Sequence, residues 1–142
     1  MSESRREFLQ KTSIVSVGMA CGGLNALVSG CSSYRYAVYR VDEGNLVIAK
    51  SDFELDPFVL VRYPAFPASI YILKISENKY SALLLECTHK RCEVKPSPEI
   101  LICPCHGSEY SNTGEVLKSP AEKDLVSFPI RSDNENIYIQ IN

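Results

Sequence analysis

The sequence reads as all-β, a small antiparallel sheet assembly of the sandwich or barrel type. Three observations carry this reading. Short runs rich in β-branched and aromatic residues recur from 34 to 142. Turn-forming residues separate them, as at 42–45, 64–67, 77–78 and 133–136. No window places apolar residues at the 3.6-residue spacing of an amphipathic helix. A chain of 142 residues suits one domain with a real core. A formal net charge of −2 leaves no cationic footprint for nucleic acid, so no nucleic-acid partner is expected.

The first segment, 1–31, stands apart from the fold. Arg5 and Arg6 open it, Phe8 and Leu9 follow, and a mildly apolar run spans 14–28. That is the layout of an export signal. Ser16, Gly18, Gly22, Gly23 and Asn25 interrupt the run, which makes it a poor permanent membrane span. The stretch "SRREFLQK" resembles a twin-arginine signal, whose pathway exports folded, cofactor-loaded proteins. The stretch "VSGC" at 28–31 resembles a bacterial lipobox, which implies that Cys31 is acylated and becomes the mature N-terminus. The competing reading is an uncleaved anchor with an incidental cysteine. Either way the expected location is the periplasm or the outer face of a membrane.

The second segment, 34–142, carries the strand readings in order: 34–41, 45–50, 58–63, 69–76, 79–87, 99–104, 125–130 and 136–141. Each is a short run in which apolar, β-branched or aromatic residues dominate.

Two stretches within this segment carry chemistry. "CTHKRC" at 87–92 and "CPCHGSEY" at 103–110 hold four of six cysteines and both histidines of the chain. Each borders an expected strand, so both belong to loops that can present side chains to one point. A buried cysteine or a lone histidine is ordinary by itself; their gathering in two windows is not. A mononuclear zinc site built from Cys87, His89, Cys103 and His106 is one candidate, and it would make the chain a zinc-stapled binding module. Structural zinc loops usually space cysteines two to four apart and histidines three to five apart. Here each loop offers one thiolate and one imidazole. That split suits a dinuclear centre in which one iron takes two thiolates and the other two imidazoles, the defining feature of a Rieske 2Fe–2S cluster.

With these residues in view, "CTHKRC" and "CPCHGSEY" resemble the two cluster-binding loops of Rieske proteins. The resemblance is strongest to the iron–sulfur subunit of cytochrome bc complexes, the quinol–cytochrome c reductases. It implies a Rieske-type antiparallel β-sandwich with a small cluster-binding subdomain of two loops. It further implies one 2Fe–2S cluster, with Cys87 and Cys103 on the inner iron and His89 and His106 on the outer one. Cys92 and Cys105 match the disulfide that ties the two loops in the bc-type branch. Ser108 and Tyr110 match hydrogen-bond donors to a bridging sulfide and to the Cys87 thiolate. The stretch "GEVLKSPA" at 114–121, with Pro120, resembles the family's third loop, which shields the cluster. A disulfide requires an oxidising compartment, which the export signal supplies.

The resemblance also implies function. Replacing two thiolates by neutral imidazoles leaves the oxidised cluster uncharged, which favours reduction and places such centres at about −150 to +300 mV. Donors aimed at the sulfurs raise the potential further. The expected role is electron transfer, as the iron–sulfur subunit of a membrane-associated quinol–cytochrome c reductase-like complex. The partners are then a cytochrome of b or c type and a quinol. The alternative is a stand-alone lipoprotein carrier, or the small subunit of a periplasmic oxidase such as arsenite oxidase, with the oxidase large subunit as partner. The chain departs from the bc-type pattern at Lys90-Arg91, where leucine and glycine are common. The two cations are costly to bury in an apolar quinol pocket and suggest an acidic partner. The missing glycine puts the backbone of this loop in question.

Overall fold

The computed structural model describes residues 34–97 and 99–141. The leader, with Cys21 and Cys31, lies outside the described residues.

Eleven strands form three antiparallel sheets among the described residues. Strands β1 (Arg40–Asp42), β2 (Asn45–Ala49), β11 (Asn136–Gln140) and β10 (Ile130–Ser132) make the first, in the order β1-β2-β11-β10. Strands β3 (Phe58–Val61), β4 (Ile70–Ser76) and β5 (Lys79–Leu84) make the second, in sequence order. Strands β6 (Lys95–Pro96), β7 (Ile100–Ile102), β8 (Glu109–Ser111) and β9 (Val116–Lys118) make the third, also in sequence order. Among the described residues the single helical element is a 3-10 turn, Lys50–Phe53.

The middle sheet is buried on both faces, which explains why its strands are almost continuously apolar. Side chains alternate across a strand. Val59, Val61, Ile70, Ile72, Tyr80 and Ala82 point into a core shared with Leu46, Ile48, Ile137 and Ile139 of the first sheet. Leu60, Tyr71 and Leu83 point the other way, into a second core with Leu101 and Tyr110 of the third sheet. Outer strands such as β11, with one buried face, keep the apolar–polar alternation instead.

Two expected strands are regular only at their ends. In 34–41, only Arg40 and Val41 enter a regular strand, β1; before them Arg35 and Ala37 exchange backbone bonds with Leu60, in a single parallel bridge at Tyr36. The alternation is present, with Ala37 and Tyr39 packed on the core, but Tyr36 and Val38 face solvent and meet no second strand. In 125–130, Ser127 bridges Leu83 and the regular strand begins only at Ile130. Conversely, β6, β8 and β9 lie outside the expected runs. They are two or three residues long and carry polar side chains such as Lys95, Glu109 and Lys118.

Candidate metal centre

The second core delivers the cysteines. Leu83, Leu85 and Cys87 follow one another at a spacing of two and share the face that enters this core. Leu101 and Cys103 do the same from β7, and Ser108 and Tyr110 from β8. Cys87 and Cys103 are therefore buried free thiols.

Between these strand ends lie two four-residue loops of the same design. In the first, Cys87 N–H donates to Cys92 O at 2.9 Å and Arg91 N–H donates to Cys87 O at 2.8 Å. In the second, Cys103 N–H donates to Ser108 O at 2.8 Å and Gly107 N–H donates to Cys103 O at 3.0 Å. The residue four after each cysteine is left-handed, Arg91 at φ 61° and Gly107 at φ 77°. The turn that glycine usually makes is thus made in the first loop by Arg91. Its Nε lies 3.1 Å from Glu86 Oε1. Of the two cations at the tip, exposed Arg91 pairs with Glu86, whereas exposed Lys90 has no ion pair among the described residues.

The repeated turn also aims amides at sulfur. Burial pushes the Cys87 thiol up. The Tyr110 hydroxyl, the His89 N–H, the Cys103 thiol and the Lys90 N–H outweigh it and bring the group down. Burial and the neighbouring Cys87 push Cys103 up, against the N–H groups of Cys105 and His106. Donors of this kind stabilise a thiolate, the form that binds metal.

The two histidine rings, one from each loop, meet with centroids 4.9 Å apart and planes at 82°. His106 is exposed and His89 half-buried. His89 Nδ1 is buried and has no hydrogen-bond partner. A buried imidazole nitrogen with no partner, in a loop that also carries a buried thiol, is what a metal ligand leaves when no metal is bound, so the donor set fits an iron–sulfur cluster. Cys92 and Cys105 form a disulfide, with Cα atoms 6.5 Å apart. Their sulfurs and that of Cys103 lie within 4.8 Å of one another. The two bonded sulfurs carry no thiolate, so Cys103 is the ligand available there.

A third segment, 119–129, is pinned to both loops. Ala121 N–H donates to Ser108 Oγ at 3.0 Å, and Thr88 Oγ donates to Lys123 O at 2.6 Å. Ahead of β9, Gly114, at φ 96°, lets the chain press on Leu83, whose Cδ2 would lie 2.9 Å from a Cβ there. Pro120 itself is exposed, and Ala121 behind it is buried. Tyr110 is fully buried, with its hydroxyl 3.3 Å from Cys87 Sγ. Burial and the Cys87 sulfur raise the phenol. Thr88 also belongs to the site: its N–H and Oγ both reach the Tyr110 hydroxyl, at 3.2 Å each. Sequence reasoning passed over it, because no signal in "CTHKRC" indicates what a threonine hydroxyl will meet 35 residues away.

Residues 43–129 match the family model described as Rieske [2Fe-2S] domain. The chain belongs to this family. The Rieske domain carries one 2Fe–2S cluster, and its chemistry is electron transfer. Among curated proteins it is similar to the cytochrome b6-f complex iron-sulfur subunit of Prochlorococcus marinus (strain MIT 9303). The identity there is 38% over 55 residues, covering 37% of this chain and 31% of that one. The same subunit of Trichodesmium erythraeum (strain IMS101) is 42% identical over 57 residues, covering 38% and 32%. The Rieske chain thus spans about a third of the length of these relatives. Among solved structures it resembles the cyanobacterial plasma membrane Rieske protein PetC3 from Synechocystis PCC 6803. The TM-score is 0.57 at 27% identity, covering 66% of this chain and 95% of that one. A chain from the complex of reduced oxygenase and oxidized ferredoxin in carbazole 1,9a-dioxygenase shares the fold, at TM-score 0.50 and 21% identity over 65% and 87%. No helix among the described residues is long and apolar enough to cross a membrane.

Proposed function

We propose that this domain is a high-potential one-electron carrier, the iron–sulfur subunit of a membrane-associated quinol–cytochrome c reductase-like complex. The observation that carries the reading is the convergence of two buried thiols with two histidines whose rings lie 4.9 Å apart. Cys87 and Cys103 would hold one iron of the cluster, and His89 and His106 the other. When bound, the cluster supplies one-electron redox chemistry.

The chain's own residues set its terms. The loop amides and the Tyr110 hydroxyl stabilise negative charge on sulfur and so favour the reduced state. Ser108 accepts the Ala121 N–H through its lone pair, which leaves its own O–H proton to be donated to a sulfide in a site closed to water. The disulfide and the segment around Pro120 hold the two loops together. Exposed His106 would make the contact with the partner. The domain takes one electron from a reduced donor and passes it to an oxidised redox protein. The relatives named as cytochrome b6-f complex iron-sulfur subunits support a cytochrome partner, and the quinol donor follows from the bc-type resemblance. The leader supports export by the twin-arginine route and a lipid on Cys31.

One fractionation experiment tests both halves. Cells expressing the full chain should show a Rieske electron paramagnetic resonance signal in reduced membranes. C103S and H106C should lose it, and C31A should move it to the soluble periplasmic fraction. A signal that survives in C103S or H106C with two irons still bound sinks the ligand set. A C31A protein that stays with the membrane sinks the lipid anchor.

A further inference from the structure

The hydroxyl network behind Cys87 can be assigned proton by proton. Thr88 Oγ has one proton. Its shortest contact is Lys123 O at 2.6 Å, and a carbonyl can only accept, so the proton goes there. Toward the Tyr110 hydroxyl, 3.2 Å away, Thr88 Oγ then presents lone pairs only. The Thr88 N–H points into the same phenolic oxygen, also at 3.2 Å, and occupies one of its lone pairs. The one Tyr110 proton therefore has two acceptors at nearly equal distance, Cys87 Sγ at 3.3 Å and Thr88 Oγ at 3.2 Å. Tyr110 has no exposed surface, so water does not compete.

We propose that Thr88 is a positioning residue that sets the reduction potential by competing with Cys87 for the Tyr110 proton. The proposal rests on the reading of Cys87 as a cluster ligand. An iron-bound thiolate carries no proton and can only accept. Reduction places more negative charge on it and draws the Tyr110 proton toward sulfur. In the oxidised state the sulfur attracts that proton less, and Thr88 Oγ offers it an alternative. Thr88 thus stabilises the oxidised state more than the reduced one. Removing its oxygen should raise the potential, the opposite of removing the Tyr110 hydroxyl. The network is local to the buried side of the loop and leaves exposed His106 untouched.

Midpoint potentials of the cluster-loaded, full-length chain test this in a cycle of variants. T88V keeps the shape and the backbone N–H but removes Oγ; it should shift the potential upward. T88S, which retains the oxygen, should return it to the wild-type value. Y110F should shift the potential downward, and T88V placed on Y110F should add nothing, because no proton is left to compete for. The potential is read on loaded protein only, so a lower yield of folded T88V does not obscure it. Should T88V load no cluster, T88A reads the same upward shift. An unmoved or lowered potential in T88V, with Y110F lowered, overturns the role of Thr88 and leaves the ligand reading intact. The same T88V shift on the Y110F background also overturns it, since Thr88 would then act by another route. No shift in either single variant, with the Rieske signal present, overturns the ligand reading as well.

Discussion

The two cysteine–histidine loops share one backbone and differ in what stabilises it. In both, the cysteine N–H bonds to the carbonyl five residues on, and the fourth residue turns left-handed and donates back. Gly107 makes this turn in the second loop without a side chain, and nothing lies within 4 Å of where its Cβ would be. Arg91 makes it in the first with a side chain that is 87% exposed and paired to Glu86. The residue that closes each loop also differs. Cys92 closes the first and is bonded across to Cys105, whereas Ser108 closes the second and receives the Ala121 N–H. The hairpin geometry therefore does not depend on any one side chain. It depends on the closing bonds to the strands, while the side chains decide how the loops are held to each other.

The largest way to break this comparison is to cut that link. C92S/C105S removes the one covalent tie between the loops. The loss should be roughly 2–5 kcal/mol of stability, the range seen for native disulfides in small exported domains. Each loop keeps its own closing bonds, so the cluster should still assemble but be lost faster on heating. Iron retention against temperature is the measurement. Retention equal to wild type would mean that the third segment alone clamps the loops.

A smaller effect separates the two left-handed turns. G107A should destabilise by about 1–2 kcal/mol, because a left-handed L-residue is strained even where space is open. R91G should change stability by less than about 1 kcal/mol. It relieves that strain, but it loses an exposed ion pair worth about 0–1 kcal/mol and gains the chain entropy of glycine, about 0.5–1 kcal/mol. Urea denaturation of both variants checks the asymmetry. Equal losses in the two would show that Arg91 is held by contacts beyond Glu86.

Much of this was legible before the structure, for a physical reason. Strands that face a core on both sides, such as 58–61 and the first half of β4 at 70–73, announce themselves as unbroken apolar runs. Cysteine and histidine are distinctive residue types, so their clustering at 87–92 and 103–106 needed no tertiary information. What stayed hidden depends on distant partners. The strand reading of 34–41 held only at Arg40 and Val41, in β1; over 34–39 it failed because alternation does not say whether a neighbouring strand exists. The missing glycine at Arg91 looked like a change of backbone. The closing bonds preserve the turn, and its arginine is paired with Glu86 through a contact no local pattern encodes.

The smallest predicted effect concerns the residue six after each cysteine, a glutamate in both loops. Glu109 pairs with Lys118 at 2.7 Å, and their strands β8 and β9 are neighbours in the third sheet. Glu93 reaches out of its loop to the middle sheet. Its Oε1 accepts from Ser69 Oγ at 2.9 Å, Ser69 N–H at 3.3 Å and Arg62 at 3.3 Å, and its Oε2 from Lys95 at 3.1 Å. Partial burial pushes the Glu93 carboxyl up, but Ser69 and Lys95 outweigh it and hold the group below the usual range. A carboxylate lowered in the folded state contributes stability that is fully present above its unfolded pKa, about 4.3. That contribution is lost as pH falls through the lower folded value. E93Q should therefore be less stable than wild type by a constant amount at pH 6–7, and the two should converge as the pH drops below about 4. E109Q should follow wild type more closely throughout, since its contact is with an exposed lysine. Urea unfolding of the three proteins from neutral to acid pH checks the order. Parallel curves for E93Q and wild type would mean that the strap from the first loop to the middle sheet acts through Ser69 and backbone packing rather than through the charge.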